Sequence, residues 1–138
     1  MSDLYLSLTS VIVDTDVAAR FHRKKLPSEV HTKLIGMHKM LPFVTVGELI
    51  AWTETRYWSP RKTEELQRWL DDSSIVFADD SVAAIWGRIT AAARRAGRTP
   101  QVNDAWIAAC CLAYDLPLMT LNGKDYQYFA EHHGLVLL

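Results

Sequence analysis

Residues 11–17 read Val11-Ile12-Val13-Asp14-Thr15-Asp16-Val17. Three β-branched apolar residues in a row end at an acid. A run that is apolar at successive positions suits a strand covered by helices on both faces, so 11–13 predicts a buried strand of a parallel sheet. Similar short runs recur at Pro42-Phe43-Val44-Thr45, Ile75-Val76-Phe77, Leu118-Met119-Thr120 and Leu135 to Leu138. Between them the spacing turns helical. Helices are predicted over Thr15 to about Lys25, Ser28 to Leu41, Val46 to Tyr57, Arg61 to Asp71, Asp80 to Ala96, Asn103 to Tyr114 and Lys124 to His133. Pro27, Pro60, Gly97 and Gly134 supply the stops. Strands that alternate with helices require crossover connections, which means an α/β fold with a mostly parallel sheet of four to five strands.

Composition agrees with a globular domain. The chain has 138 residues, 49% hydrophobic and 22% charged, so residues 1–138 are read as one domain with a sizeable core. Fifteen basic residues against sixteen acidic ones give a net charge of −1. That balance excludes wholesale nucleic-acid coating but leaves room for local basic patches. The two cysteines, Cys110 and Cys111, are adjacent and poorly placed to staple a fold, which points to a reducing, cytoplasmic compartment. Met1 to Val13 has no basic region and leads into Asp14 and Asp16, so no secretory signal is expected there. The longest uncharged runs, Leu4 to Val13 and Ala105 to Tyr114, are ten residues each, about half a membrane span.

In such sheets the functional crevice lies beyond the carboxyl ends of the strands. The first strand ends in Asp14-Thr15-Asp16. The second ends in Thr45, with Glu48 one helical turn on. The last helix before the fourth strand opens at Asn103-Asp104, and that strand runs into Thr120-Leu121-Asn122 and Asp125. Asp14, Glu48, Asp104 and Asp125 can therefore converge on one edge. Clustered carboxylates repel, and a cation relieves them. Oxygen-only ligands suit Mg²⁺ or Mn²⁺. Each acid also has a structural explanation. Thr45-Val46-Gly47-Glu48 matches a capping box, Asn103-Asp104 a helix cap, Asp14 and Asp16 a turn, and Asp125 a first-turn acid.

These motifs together resemble the PIN-domain ribonucleases, specifically the short toxin subunits of VapBC-type toxin–antitoxin pairs. The resemblance runs through residues 11–17, Val44-Thr45-Val46-Gly47-Glu48-Leu49, Val102-Asn103-Asp104-Ala105-Trp106-Ile107-Ala108-Ala109 and Leu118-Met119-Thr120-Leu121-Asn122-Gly123-Lys124-Asp125-Tyr126. It implies a PIN-like three-layer α/β/α sandwich. It also implies metal-dependent endonucleolytic cleavage of RNA, with in-line attack by a metal-activated water. By the same resemblance Asp14, Glu48, Asp104 and Asp125 are the catalytic, metal-binding acids. Thr120 and Asn122 line the pocket, and Asp16 is an outer partner of the site. A cognate antitoxin and a homodimer are the implied partners, and no membrane is.

RNA needs cations for phosphates and flat groups for bases. Arg20, Arg23 and Lys24, then Arg56 with Trp58, then Arg94 and Arg95, are the candidate contacts. Taken singly, each such charge run is more often a solvated helix face. Two further readings stay open. Asp14-Thr15-Asp16 with Asp79-Asp80 suggests a haloacid-dehalogenase-like phosphohydrolase, although the order of motifs is wrong for one. A catalytically inactive PIN-fold binding module is the other.

Overall fold

A computed structural model of the chain describes residues 9–138. Residues 1–8, part of both the stretch Met1–Val13 and the uncharged run Leu4–Val13, lie outside them. The elements run β1 (Ser10–Val13), α1 (Thr15–His22), α2 (Ser28–Leu34), β2 (His38–Pro42), α3 (Phe43–Thr55) and α4 (Pro60–Asp71). Then come β3 (Ser74–Val76), α5 (Asp80–Arg95), α6 (Val102–Tyr114), β4 (Leu118–Met119), a 3₁₀ turn (Gly123–Tyr126) and α7 (Gln127–His133).

The four strands form one sheet in the order β3-β2-β1-β4. All three pairings are parallel. The pleat sorts the core into two layers. Val11 and Val13 of β1 face a cluster with Val17, Ala18, Leu34, Leu41, Leu49, Leu66 and Leu70, contributed by α1 to α4 and by β2. Ile12 and Leu118 face the other side, with Val82, Ile89, Ile107, Ala108 and Phe129 from α5 to α7. The β1 run is buried at every position because helices cover both faces, as its unbroken apolar character requires. The result is the three-layer α/β/α sandwich. No helix among the described residues is long and apolar enough to cross a membrane.

Two stretches differ from the sequence expectation. The helix predicted from Ser28 to Leu41 stops at Leu34, and residues 38–42 form β2 instead. Gly36 lies at φ 79°, in the left-handed region that ends a helix and turns the chain. Consequently Pro42-Phe43-Val44-Thr45 is not a strand. Pro42 ends β2 and stands directly before α3, so Thr45 lies inside that helix. At the C-terminus the expected strand Leu135–Leu138 shrinks to a single parallel bridge between Leu137 and Leu118.

Candidate active site

The register of the sheet places the site. Val13 pairs with Met119, so the residues that follow, Asp14 and Thr120, emerge side by side. The Asp14 backbone N–H donates to the Met119 carbonyl at 3.0 Å. Asp14 then caps α1 by accepting from the Thr15 backbone N–H at 2.7 Å. Its second oxygen accepts from the Thr120 hydroxyl at 2.9 Å. Both carboxylate oxygens are thus fixed, on a residue only 9% exposed.

On the other side of β1, α3 begins immediately after β2 and lies against α1. Thr15 is the link between them. Its hydroxyl donates to Glu48 Oε1 at 2.7 Å and stands 3.1 Å from the Thr45 hydroxyl. A hydroxyl has one proton to give, so Thr45 is the donor in that second contact. The capping-box explanation of Thr45 and Glu48 therefore fails. The N-cap of α3 is Pro42, and both side chains turn toward Thr15 instead.

The third side is built by α6 and the 3₁₀ turn. Asp104 sits in the first turn of α6, whose cap is Gln101 rather than Asn103. The Tyr126 hydroxyl donates to Asp104 Oδ1 at 3.2 Å and also reaches Asp14. Tyr126 is fully buried, 0% exposed. Asp125 precedes it in the turn and lies within electrostatic range of Asp104.

The electrostatics follow from this packing. Burial pushes the Asp104 carboxyl up to about 6, the charge of Asp14 adds to this, and those of Asp125 and Glu48 add further. The hydrogen bond from Tyr126 works in the opposite direction. Asp14 is also raised, by burial first, with the Thr120, Thr15 and Tyr126 hydrogen bonds holding it back. The Tyr126 phenol is pushed well above its ordinary value by burial and by the two acids, which keeps it a donor.

Asp14, Glu48, Asp104 and Thr120 are therefore brought together, with Asp125 at the rim. Asn122 contributes through its backbone N–H, which donates to the Thr120 hydroxyl at 3.0 Å and orients it. Asp16 is exposed on the first turn of α1 and has no hydrogen bond to the acids. Asp79 does not join them. It caps α5 through Val82 and accepts from Tyr114, which explains it without a phosphohydrolase site.

Thr15 and Tyr126 are the functional residues that sequence reading missed. Their signal was present. Thr15 directly follows the strand-end acid, and Tyr126 is a phenol beside Asp125, where burial obliges its hydroxyl to find a partner.

Carboxylate oxygens supported by hydroxyls are the donor set of a hard divalent cation. No group of three or more His, Cys, Asp or Glu side chains among the described residues stands ready-made around an ion position. Asp14, Glu48 and Asp104 each give at least one oxygen to Thr15, Thr120 or Tyr126. These carboxylates and hydroxyls are chemically suited to a hard divalent cation.

The candidate RNA contacts divide. Arg20 is exposed along α1, Arg23 reaches back to the Ala19 carbonyl, and Arg56 stacks on Trp52 at 3.9 Å. Arg94 and Arg95 are exposed in the last turn of α5, where the helix dipole accounts for them. Arg23 and Trp58 line one cleft.

Comparison with known proteins agrees with this fold. A ribonuclease named VapC5 from Mycobacterium tuberculosis is 28% identical over 112 residues, covering 81% of this chain and 78% of that protein. The DNA-bound VapBC structure from Salmonella typhimurium superposes with a TM-score of 0.78 at 19% identity, over 94% of this chain and 96% of that one. VapBC2 from Rickettsia felis, bound to a promoter DNA fragment, gives 0.77 at 17% identity, over 94% and 97%. The family model for the PIN domain matches residues 11–132, and the chain belongs to the PIN domain family.

Proposed function

We propose that this protein is a divalent-metal-dependent endoribonuclease of the VapC type, the toxin of a toxin–antitoxin pair. The observation that carries the reading is the cluster itself. Asp104 of α6 feels the charges of Asp14, just past β1, of Asp125 in the 3₁₀ turn and of Glu48 on α3, and burial together with these charges drives it to about 6. A fold does not keep so costly a charge group for stability.

Asp14, Glu48, Asp104 and Asp125 would hold Mg²⁺ or Mn²⁺, which when bound supplies charge stabilisation at the phosphate and a more acidic water. The chain's own residues do the positioning. Thr120 and the Thr15 N–H fix the Asp14 carboxylate, and the Thr15 hydroxyl aims Glu48. Tyr126, fully buried, donates its hydroxyl to Asp104 and fixes that carboxylate. Such preorganisation spares the reorganisation that the reaction would otherwise require.

The similarity to VapC5 supports RNA as substrate. The VapBC complexes among the structural relatives support an antitoxin partner. An Arg or Lys of that partner among the carboxylates would supply the charge of the cation. A homodimer and a cytoplasmic location belong to the same proposal, and the mass in solution tests the former.

The test is incubation of total RNA with the purified chain, with and without Mg²⁺ or Mn²⁺. Discrete fragments carrying 5′-phosphates, formed only with metal, are expected. Metal-dependent cleavage absent from folded, antitoxin-free protein refutes the reading.

A further inference from the structure

The C-terminal ends of α1 and α3 and the first turn of α4 enclose a cleft of about 370 Å³, lined by His22, Arg23, Lys25, Trp58, Lys62 and Glu65. It joins two basic segments that lie more than thirty residues apart in sequence. Three cations face one acid, and that acid, Glu65, is already paired with Arg61 at 3.2 Å. Trp58 is half-buried, packs against the core and lines the cleft.

Ordinary helix-end chemistry does not account for the cleft. Arg23 at the end of α1 has the helix dipole as an explanation, but Lys62 does not. Lys62 lies in the first turn of α4, where a cation is disfavoured and where no acid is present. The backbone shows how the two loops turn into the cleft. Three non-glycine residues among the described ones have positive φ, and two of them flank this cleft: Lys24 at 58° and Tyr57 at 51°. Each sits just past a helix end, where glycine is the cheap choice. Tyr57 is 92% exposed. Lys24 and Tyr57 both belong to common helix-ending motifs, in which the Lys25 N–H donates to the Arg20 carbonyl and the Trp58 N–H to the Thr53 carbonyl, and these turns bring the two basic segments to the cleft.

The placement relative to the acids is also suited. Asp14 caps the start of α1, and the cleft lies at the far end, about 12 Å along the helix axis. Asp16, Arg20 and Arg23 are all exposed at a spacing that puts them on one face of α1, a stripe leading from site to cleft.

We infer that this cleft is a subsite for single-stranded RNA, in which Trp58 carries a base and Arg23, Lys25 and Lys62 hold the neighbouring phosphates. The inference rests on the ribonuclease reading and extends its substrate contact beyond the carboxylate centre. A net positive cleft with an indole fits a nucleotide better than a peptide, because bases stack on the ring while phosphates meet the cations.

The test uses the double variant Lys25→Glu/Lys62→Glu of the full chain, both positions being exposed. Its cleavage of a long single-stranded RNA should show KM raised at least about tenfold with kcat little changed. Binding of the same RNA, measured by anisotropy in the Asp104→Asn background, should lose salt dependence by about 1.4 in the log–log slope, as expected for two phosphate contacts. Unchanged KM and unchanged slope overturn the subsite, and loss of antitoxin capture by that variant would then assign the cleft to protein. If the wild type cleaves no RNA, the ribonuclease reading fails, and the binding series still decides the cleft.

Discussion

Tyr126 is the residue on which the site turns in the absence of metal. It is fully buried and donates to Asp104, so its hydroxyl offsets part of the cost of that buried charge. Tyr126→Phe keeps the ring and removes the donor. Asp104 should then titrate above its value of about 6, and cleavage at limiting metal should fall by about 10- to 100-fold, recovering in part at high metal. Thr15→Val leaves the buried Thr45 hydroxyl without its acceptor and frees Glu48. A stability loss of about 1–3 kcal/mol by urea denaturation is expected, together with weaker metal binding. Asp104 itself makes the metal-free protein sensitive to pH. Its carboxyl ordinarily titrates at 3.8 and in the fold at about 6, so the folded state binds more protons between those values. Stability should fall as pH rises through that window, with the benefit of the protonated form fully present below it. Asp104→Asn should flatten this slope and be more stable than wild type at pH 7, and a divalent cation should stabilise wild type alone.

At the scale of elements, the sequence was legible where periodicity was clean and misleading where a turn lacked a marked signal. The run Val11-Ile12-Val13 and the helices α4 to α6 emerge close to their predicted bounds, because apolar spacing alone specifies them. The segment from Met37 to Thr45 does not. Its apolar residues fit a helix and a strand equally, and the deciding feature is the left-handed Gly36, a backbone fact. Gly36→Ala should cost about 1 kcal/mol by thermal or urea unfolding, through conformation alone, since nothing lies within 4 Å of the added methyl group. Tyr57→Gly should do the reverse and stabilise by about 1 kcal/mol, while weakening RNA binding if the exposed ring serves the cleft. Gain of stability without loss of binding would show that Tyr57 is merely tolerated.

For the whole molecule, parallel topology does the assembling. Residues as distant as Asp14 and Thr120 meet because β1 and β4 are neighbours in register, and Glu48 and Asp104 arrive on helices that flank the same edge. That Asp14, Glu48 and Asp125 lie close enough to raise Asp104 was foreseeable from the sequence, because a parallel sheet has one functional edge. The hydroxyl partners could not, since Thr15, Thr45 and Tyr126 acquire their roles only from three-dimensional contact. Nor could the cleft at Trp58, which needs two loops to meet. The central claim is that these carboxylates act as one cation-dependent centre. The most direct measurement is a Mn²⁺ titration of wild type, Asp14→Asn and Asp104→Asn, with metal binding and RNA cleavage followed in the same samples. Binding and cleavage should rise together in the wild type, and both should be lost in each variant. Cleavage that persists in either variant, or that rises without metal binding at these acids, would contradict the account.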